Sequence, residues 1–148
     1  MIRDDLTLLS SAQVLTGITD TSAVSTNTID LGVARDIGEG EDLYMIFQLP
    51  TAVTNGTSTK FEAIVASDAS LSADIAVIGD TGAIATASLT QYAYFAVRLR
   101  PLVGLKGQRY LGARYTVVGT NNAGTVTTFI TKDLQDGKKF YTSGFSIT

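Results

Sequence analysis

The stretch that decides the fold is RYLGARYTVVGTNNAGTVTTFIT, residues 109–131. Apolar side chains occupy every second position of its first part: Leu111, Ala113, Tyr115 and Val117. The alternation resumes over residues 125–131, and a period of two is typical of a strand with one buried face. Residues 119–124, rich in Gly and Asn, separate the two runs, so the sequence predicts a β-hairpin with a flexible tip here.

The same period of two recurs through the rest of the chain. Strong alternation covers residues 43–49, 60–66 and 92–99, and weaker strands are expected at 12–19, 27–34 and 73–78. Turn signals separate these runs at residues 38–40, 54–56 and 79–82. About eight short strands in one domain favour a sandwich or a barrel. The sequence therefore predicts an all-β fold, a single jelly-roll β-sandwich of about eight antiparallel strands.

The 148 residues suffice for one domain with an extended segment at each end. We expect an N-terminal arm over residues 1–11, either extended or one helical turn, and the jelly roll over residues 12–132. Residues 133–148 begin as a polar spacer and end with three apolar residues that share one face if extended: Tyr141, Phe145 and Ile147. This segment is either an extra edge strand on its own sandwich or an arm that joins a neighbouring chain's sheet.

The absent residue types argue against an enzyme. The chain has no His, Cys or Trp, so serine triads, cysteine nucleophiles and His-ligated metals lose their main group. Four acidic residues lie within residues 36–42, but without EF-hand spacing they predict a solvated loop. No spacing specifies the carboxylate pair of a glycoside hydrolase. We therefore expect a protein with no catalytic residues, no cofactor and no metal.

Charge and hydropathy exclude two classes of partner. The net charge of −3 argues against a nucleic-acid-binding face. No apolar run approaches the roughly 18 residues of a membrane span, and the N-terminus lacks the apolar core of a signal peptide. We expect a soluble protein that is intracellular when made.

Five basic residues fall close together in the sequence: Arg98, Arg100, Lys106, Arg109 and Arg114. They are either strand-edge charges that discourage aggregation or a cationic patch that meets an acidic partner. Tyr92 alternates away from the expected core face of its strand, and Tyr and Arg are enriched at interface hot spots. We therefore treat these six residues as candidate interface residues, with a core position still open for Tyr92.

Residues 25–40, STNTIDLGVARDIGEG, resemble the T-x-x-I-D-L-G-x-x-R-D-I-G-x-G segment of the jelly-roll cement, or head-decoration, proteins of tailed bacteriophages. The family's S-x-A-Q piece is matched at residues 10–13, and its Leu-Tyr strand start at residues 43–44. Its C-terminal pattern R-Y-L-x-x-x-Y-x-V-x-G-T…G-T-V is matched at residues 109–126. The resemblance covers residues 6–132, and the tail after Lys132 departs from it.

The resemblance implies a jelly roll on the outer surface of a phage capsid, made in the host bacterial cytoplasm, that bridges subunits of the major capsid protein without catalysis. Decoration at symmetry axes implies a homodimer or a homotrimer. Within the matched segment, Arg35 and Asp36 either hold a corner of the sandwich or contact the shell.

An alternative function is a receptor- or glycan-binding β-sandwich domain of a phage tail or fibre. Such domains are also rich in Thr and Gly, and an exposed Tyr near Asn residues would form a platform for sugars. Tyr92 and Asn121-Asn122 are the candidates for that platform.

Overall fold

The structure is a computed structural model that describes residues 4–33, 41–100, 108–132 and 134. Within these ranges the regular secondary structure consists of strands and two short 3-10 turns. The strands are β1 Leu8–Val14, β2 Ser22–Val24, β3 Ile29–Asp30, β4 Tyr44–Asn55, β5 Ser58–Ala66, β6 Ala76–Ala85, β7 Tyr94–Arg98, β8 Tyr110–Val118 and β9 Asn121–Thr131. Among the described residues, no helix is long and apolar enough to cross a bilayer.

The strands form two sheets whose ladders are all antiparallel. The first, which we call sheet I, has the order β1-β9-β4-β7, and the second, sheet II, has the order β2-β8-β5-β6. The short β3 also pairs with β8, so β2 and β3 act as two halves of one interrupted strand. Successive strands repeatedly change sheet, which is the connectivity of a jelly-roll sandwich. The all-β jelly-roll prediction is confirmed.

The core lies between the sheets because alternate side chains of each strand point inward. Phe47 of β4 packs against Phe61 of β5 with ring centroids 5.3 Å apart, and the Tyr115 ring of β8 lies 6.2 Å from Phe47. Each such fully buried side chain contributes roughly 1.5–3 kcal/mol of apolar burial. Burial raises the pKa of Tyr115 to about 12, and its hydroxyl lies within 2.7 Å of Ser10 Oγ and 2.8 Å of Thr128 Oγ1. These hydroxyl contacts tie β8 of one sheet to β1 and β9 of the other.

The hairpin predicted across residues 119–124 is wrong. β8 pairs with β5 in sheet II, whereas β9 pairs with β4 in sheet I, so the turn between them crosses the sandwich. The turn at Asn55-Gly56 crosses in the same way between β4 and β5, and Asn55 Nδ2 donates to the Thr120 carbonyl at 3.1 Å. Alternation along the chain marks two strands and a turn, but it does not say whether both strands join the same sheet.

The turn predicted at residues 79–82 is a bulge inside β6. Lys60 of β5 pairs with Ala83, but Glu62 pairs with Asp80, so two β6 residues oppose Phe61. The Gly82 N–H donates to Asp80 Oδ1 at 2.7 Å, and Gly82 has a φ of +69°, which only glycine adopts at low cost. The turn-like composition therefore marks a kink in a continuous strand.

The boundaries of the weaker elements also shift. β1 begins at Leu8, within the predicted N-terminal arm, and a 3-10 turn over Asp5–Thr7 precedes it, with Asp4 as its cap. The strand expected at 27–34 shrinks to Ile29–Asp30, and the strand expected at 73–78 begins at Ala76. The turn predicted at 38–40 and, except for Leu134, the segment 133–148 lie outside the described residues.

Candidate functional site

The structure describes five of the eleven candidate interface residues. Arg98 lies on β7 of sheet I and Arg100 follows it, whereas Arg109 and Arg114 lie on or beside β8 of sheet II. The four described arginines are therefore divided between the two sheets, with Arg100 just after β7 and beside β6. The candidates outside the described residues are Arg35, Asp36, Lys106, Tyr141, Phe145 and Ile147.

Arg109 joins two of the segments that carry the resemblance. Its Nε and Nη2 each donate to the carboxylate of Asp30 at 2.5 Å, and its guanidinium lies 5.4 Å from the centroid of the Tyr110 ring. The hydrogen bond from Arg109, with one from the Gly32 N–H, holds the pKa of Asp30 below its usual range. Because Asp30 and Tyr110 are also partners in the β3–β8 ladder, this pair fixes the short β3 to sheet II.

Arg114 is engaged by a buried carboxylate. Glu62, whose side chain is only 1% exposed, accepts from Arg114 Nε at 2.7 Å and Nη2 at 3.1 Å. Lys60 Nζ lies 2.8 Å from the same carboxylate, and Thr116 Oγ1 donates to it at 2.9 Å. Burial acts to raise the pKa of Glu62, but these donors outweigh burial and lower it from 4.5 to about 2. Arg114 is thus a structural partner of Glu62.

Arg98 also has an acidic partner. Its Nη2 lies 2.5 Å from Asp42 Oδ1, and both side chains are largely exposed. Lys132 pairs with Glu41 close by, and these two acidic residues line an open groove with Tyr44, Lys132 and Leu134. Two exposed ion pairs therefore flank the end of sheet I from which the C-terminal segment leaves.

Arg100 is the one arginine in the described ranges that takes part in no ion pair. Its backbone N–H donates to the Ile78 carbonyl at 3.0 Å, so the chain after β7 runs beside β6. With Asp80 and Val77 it lines a small cavity of about 290 Å³. Ile75 and Val77 are exposed next to it. We call Ile75, Val77, Asp80 and Arg100 the β6 surface.

Strands β6 and β7 approach closely at this surface. A Cβ added at Gly79 would lie 2.5 Å from Val97 Cγ1 and 2.7 Å from the Arg98 carbonyl oxygen, so only glycine fits there. This contact closes one side of the sandwich between the two sheets. Among the described strands, β6 forms a ladder only with β5, so it is the last strand of sheet II in the part of the chain that the structure describes.

Tyr92 is exposed and has a φ of +65°, which is unusual for a non-glycine residue. Its N–H donates to the Leu49 carbonyl, so it lies beside the middle of β4. Asn121 is buried and pairs with Asn55 at the far end of β4. The structure therefore does not bring Tyr92 and Asn121 together as one platform for a sugar.

The other resemblance segments are joined by polar contacts that range from exposed to buried. Gln13 Oε1 accepts from Ser10 Oγ at 2.6 Å and from the Thr26 N–H at 3.0 Å, and Gln13 Nε2 donates to the Val24 carbonyl. Ser10 in turn contacts the Tyr115 hydroxyl. Residues 10–13, 25–31 and 109–117 thus form one connected network, which includes the Asp30–Arg109 pair.

Sequence reasoning missed Glu62. Alternation placed it on the outer side of β5, where a charged residue is expected to face water, yet its side chain is buried. The signal is the direct pairing of Glu62 with Arg114, which becomes visible only once β5 and β8 are known to be neighbours. Among the described residues, no group of three or more His, Cys, Asp or Glu side chains is placed to hold a metal ion.

Comparison with known proteins gives one family. No curated protein matches the sequence. The model of the Bbp16 family matches residues 9–130, which is well over half of the chain and corresponds to the jelly roll from β1 to β9. The chain therefore belongs to the Bbp16 family, and this membership indicates a phage-related protein.

Proposed function

We propose that this protein is a capsid cement, or decoration, protein. It binds the outer surface of a phage head as a homo-oligomer and stabilises contacts between subunits of the major capsid protein, without catalysing a reaction. The membership in a phage-related family supports the part of this proposal that assigns the protein to a phage.

The observation that carries the proposal is the network between the segments that resemble the decoration proteins. Those segments lie far apart in the sequence, yet Asp30 contacts Arg109 and Ser10 contacts Tyr115. A chance likeness in short sequence pieces gives no reason for the matched residues to contact each other. Their mutual contacts indicate that the resemblance extends to the way in which the sandwich is built.

A cement protein needs affinity and no reactive group. It stabilises the assembled shell because it binds that shell more tightly than it binds free subunits. Many copies, each with an interface of about 1,000 Å² or more, supply the stabilisation. Sheet-edge pairing and complementary charge provide such an interface.

The β6 surface is the described region that best fits this role. It combines the apolar side chains of Ile75 and Val77 with Arg100, which forms no ion pair within the described ranges. It also lies along β6, which is the last of the described strands of sheet II. An extended segment of a capsid subunit that carries an acidic residue would pair with β6 and meet Arg100.

The test uses phage heads that lack this protein. Purified protein is added, and the bound copies per major capsid subunit are counted by quantitative mass spectrometry, with the temperature of DNA release as the second measurement. We expect about one bound copy per capsid subunit or per symmetry axis, and a higher release temperature. Absence of binding to heads, or binding only to tails or fibres, overturns the proposal and favours the receptor-binding alternative.

The Arg100→Glu variant tests the β6 surface in the same assay. We expect weaker binding that depends on salt, because a surface charge contact is screened over about 10 Å at 0.1 M salt. Lys132→Gln is the matched control, since Lys132 already has an acidic partner, Glu41, in its own chain. Equal binding by the Arg100 variant and the wild type at all salt concentrations would exclude Arg100 from the interface.

A further inference from the structure

The two turns that cross the sandwich lie side by side at one end of the molecule. The first, at residues 55–56, joins β4 to β5, and the second, at residues 119–120, joins β8 to β9. Asn55 Nδ2 donates to the Thr120 carbonyl at 3.1 Å. The side-chain amide of Asn55 therefore provides one of the hydrogen bonds that hold the two turns together.

The first turn also has the sequence that is most prone to loss of a side-chain amide. In the whole sequence, Asn is followed by Gly only at Asn55-Gly56. Because glycine has no Cβ, its backbone nitrogen approaches the side chain of the preceding asparagine with less steric hindrance than that of any other residue. Asn55 is exposed, so water reaches its amide group. Both sequence and exposure therefore favour deamidation at Asn55.

A buried amide beside this turn favours its local opening. Asn121 is only 1% exposed, and among the described residues neither its Oδ1 nor its Nδ2 has a hydrogen-bond partner. Its Oδ1 lies against Gly56, so closely that a Cβ added to Gly56 would collide with it. Burial of an amide without partners is unfavourable, and this cost is relieved when the turns separate and water reaches Asn121. The same opening frees the Asn55 side chain and the Gly56 N–H.

We propose that Asn55 undergoes spontaneous deamidation and that the product loosens the contact between the two turns. The Gly56 backbone nitrogen loses its proton and forms a bond with Asn55 Cγ. The bond from Cγ to Nδ2 breaks, and Nδ2 takes up a proton and leaves as ammonia. Water then opens the resulting cyclic imide at one of its two carbonyl carbons, which gives aspartate or isoaspartate. Water is the only co-reactant, and the proposal does not depend on the proposed capsid function.

Neither product preserves the contact between the turns. A carboxylate has no N–H to donate, so it would face the Thr120 carbonyl oxygen with repulsion in place of a hydrogen bond. Isoaspartate also adds a methylene group to the backbone. The turns have little room for it, because a Cβ added at Gly119 would already lie 3.0 Å from the Thr57 nitrogen and 3.1 Å from Gly56 Cα. We therefore expect both products to destabilise this end of the sandwich.

Peptide mass spectrometry of the folded full-length protein, incubated in a mildly alkaline buffer, tests the proposal. We expect the peptide that contains Asn55 to gain the mass of an amide-to-acid conversion and to separate into aspartate and isoaspartate forms. Asn27 and Asn122 are internal controls, because both are exposed but precede residues that have a Cβ. Conversion several-fold faster at Asn55 than at either control supports the proposal. Conversion at Asn55 that is no faster than at the controls overturns it.

Two variants with the same change in charge test the effect on the turns. Asn55→Asp reproduces the aspartate product, and Asn122→Asp places the same charge at another exposed position. We expect Asn55→Asp to lower the melting temperature on the order of a few degrees, the shift that one lost hydrogen bond produces in a domain of this size. Asn122→Asp should leave the melting temperature nearly unchanged. Equal melting temperatures for the two variants would overturn the loosening of the turns.

Discussion

Each outer face of the sandwich has a buried apolar cluster, but residues from different parts of the chain cover the two clusters. On sheet II, Ile64 and Ala66 pack against Leu71, which lies in the loop between β5 and β6. On sheet I, the described part of the cover begins at Leu134, after the last strand. One cover thus comes from a loop between two neighbouring strands, and the other begins where the strands end.

The loop on sheet II is built to hold Leu71 in place. Asp68 accepts from the backbone N–H groups of Ser72 and Ala73 at 2.9 and 2.7 Å, and also from the Ser70 and Ser72 hydroxyls. The hydrogen bond from Ser70 and that from the Ala73 N–H hold the pKa of Asp68 well below its usual range. These bonds fix the loop in a conformation that presents Leu71 to the sheet.

The sheet below Leu71 has a matching depression. Gly112 pairs with Ile64, and a Cβ at Gly112 would lie only 2.2 Å from Leu71 Cδ1, so the missing side chain makes room for the leucine. The loop therefore holds Leu71 in one conformation, and the depression at Gly112 accommodates its side chain. The comparison teaches that sheet II is covered by packing within one connection, whereas the described cover of sheet I combines Tyr44 of the sheet itself with Leu134, which lies beyond β9.

The largest expected effect comes from the buried ion pair on sheet II. Arg114→Ala leaves Glu62 buried with Lys60 as its remaining cation, and removal of one partner of a buried pair costs about 3–5 kcal/mol. Urea denaturation of the variant and the wild type measures the loss in the free energy of unfolding. A loss below about 1 kcal/mol, the range of exposed pairs, would contradict the role assigned to Arg114.

Leu71→Ala tests the cover of sheet II directly. Truncation of a buried leucine costs about 2–5 kcal/mol, because it removes apolar contacts and leaves a cavity over Gly112. Leu6→Ala is the control, since Leu6 is 85% exposed and its loss should change stability by less than about 0.5 kcal/mol. Equal melting temperatures for the two variants would mean that the packing of Leu71 on sheet II contributes nothing to stability.

The sequence predicted the sheets better than their covers. Alternation identified β5, β7, β8 and β9 because each inner face packs against the opposite sheet, which imposes a period of two. It did not reveal that both faces of a strand are buried, as in Phe61–Ala66 of β5, since the second cover comes from a loop that the alternation does not locate. Leu71 looked like an ordinary loop residue, because its role depends on a glycine that lies 41 positions away on β8.

The candidate site was only partly predictable for a related reason. The arginines were correctly located on or beside strands, but their partners Asp30, Asp42 and Glu62 come from distant strands or loops. Such pairs follow from strand order, which the sequence pattern alone did not provide.

Acid titration tests the buried pair of Glu62 and Arg114 in the protein with both residues in place. The pKa of Glu62 is about 2 in the folded protein against 4.5 ordinarily, so the unfolded chain binds the proton first as the pH falls. This stabilisation is present above about pH 4.5 and is lost as the pH falls to about 2, with a size of at most about 3 kcal/mol. Glu62→Gln should flatten this part of the curve of unfolding free energy against pH, and an unchanged slope would contradict the assignment.

The smallest expected effect belongs to the exposed pair at the end of sheet I. Arg98 and Asp42 are 62% and 43% exposed, so Arg98→Ala should cost no more than about 1 kcal/mol, because water and side-chain entropy offset most of the attraction. Salt screens an exposed pair, and the difference from the wild type in urea denaturation should vanish between 0.01 M and 1 M salt. The Arg114→Ala loss should persist over the same range, since the Glu62 carboxylate is shielded from the solvent. If both losses respond equally to salt, the Glu62 carboxylate is as accessible to ions as Asp42. The contrast between a buried ion pair on sheet II and an exposed ion pair at the end of sheet I would then not hold.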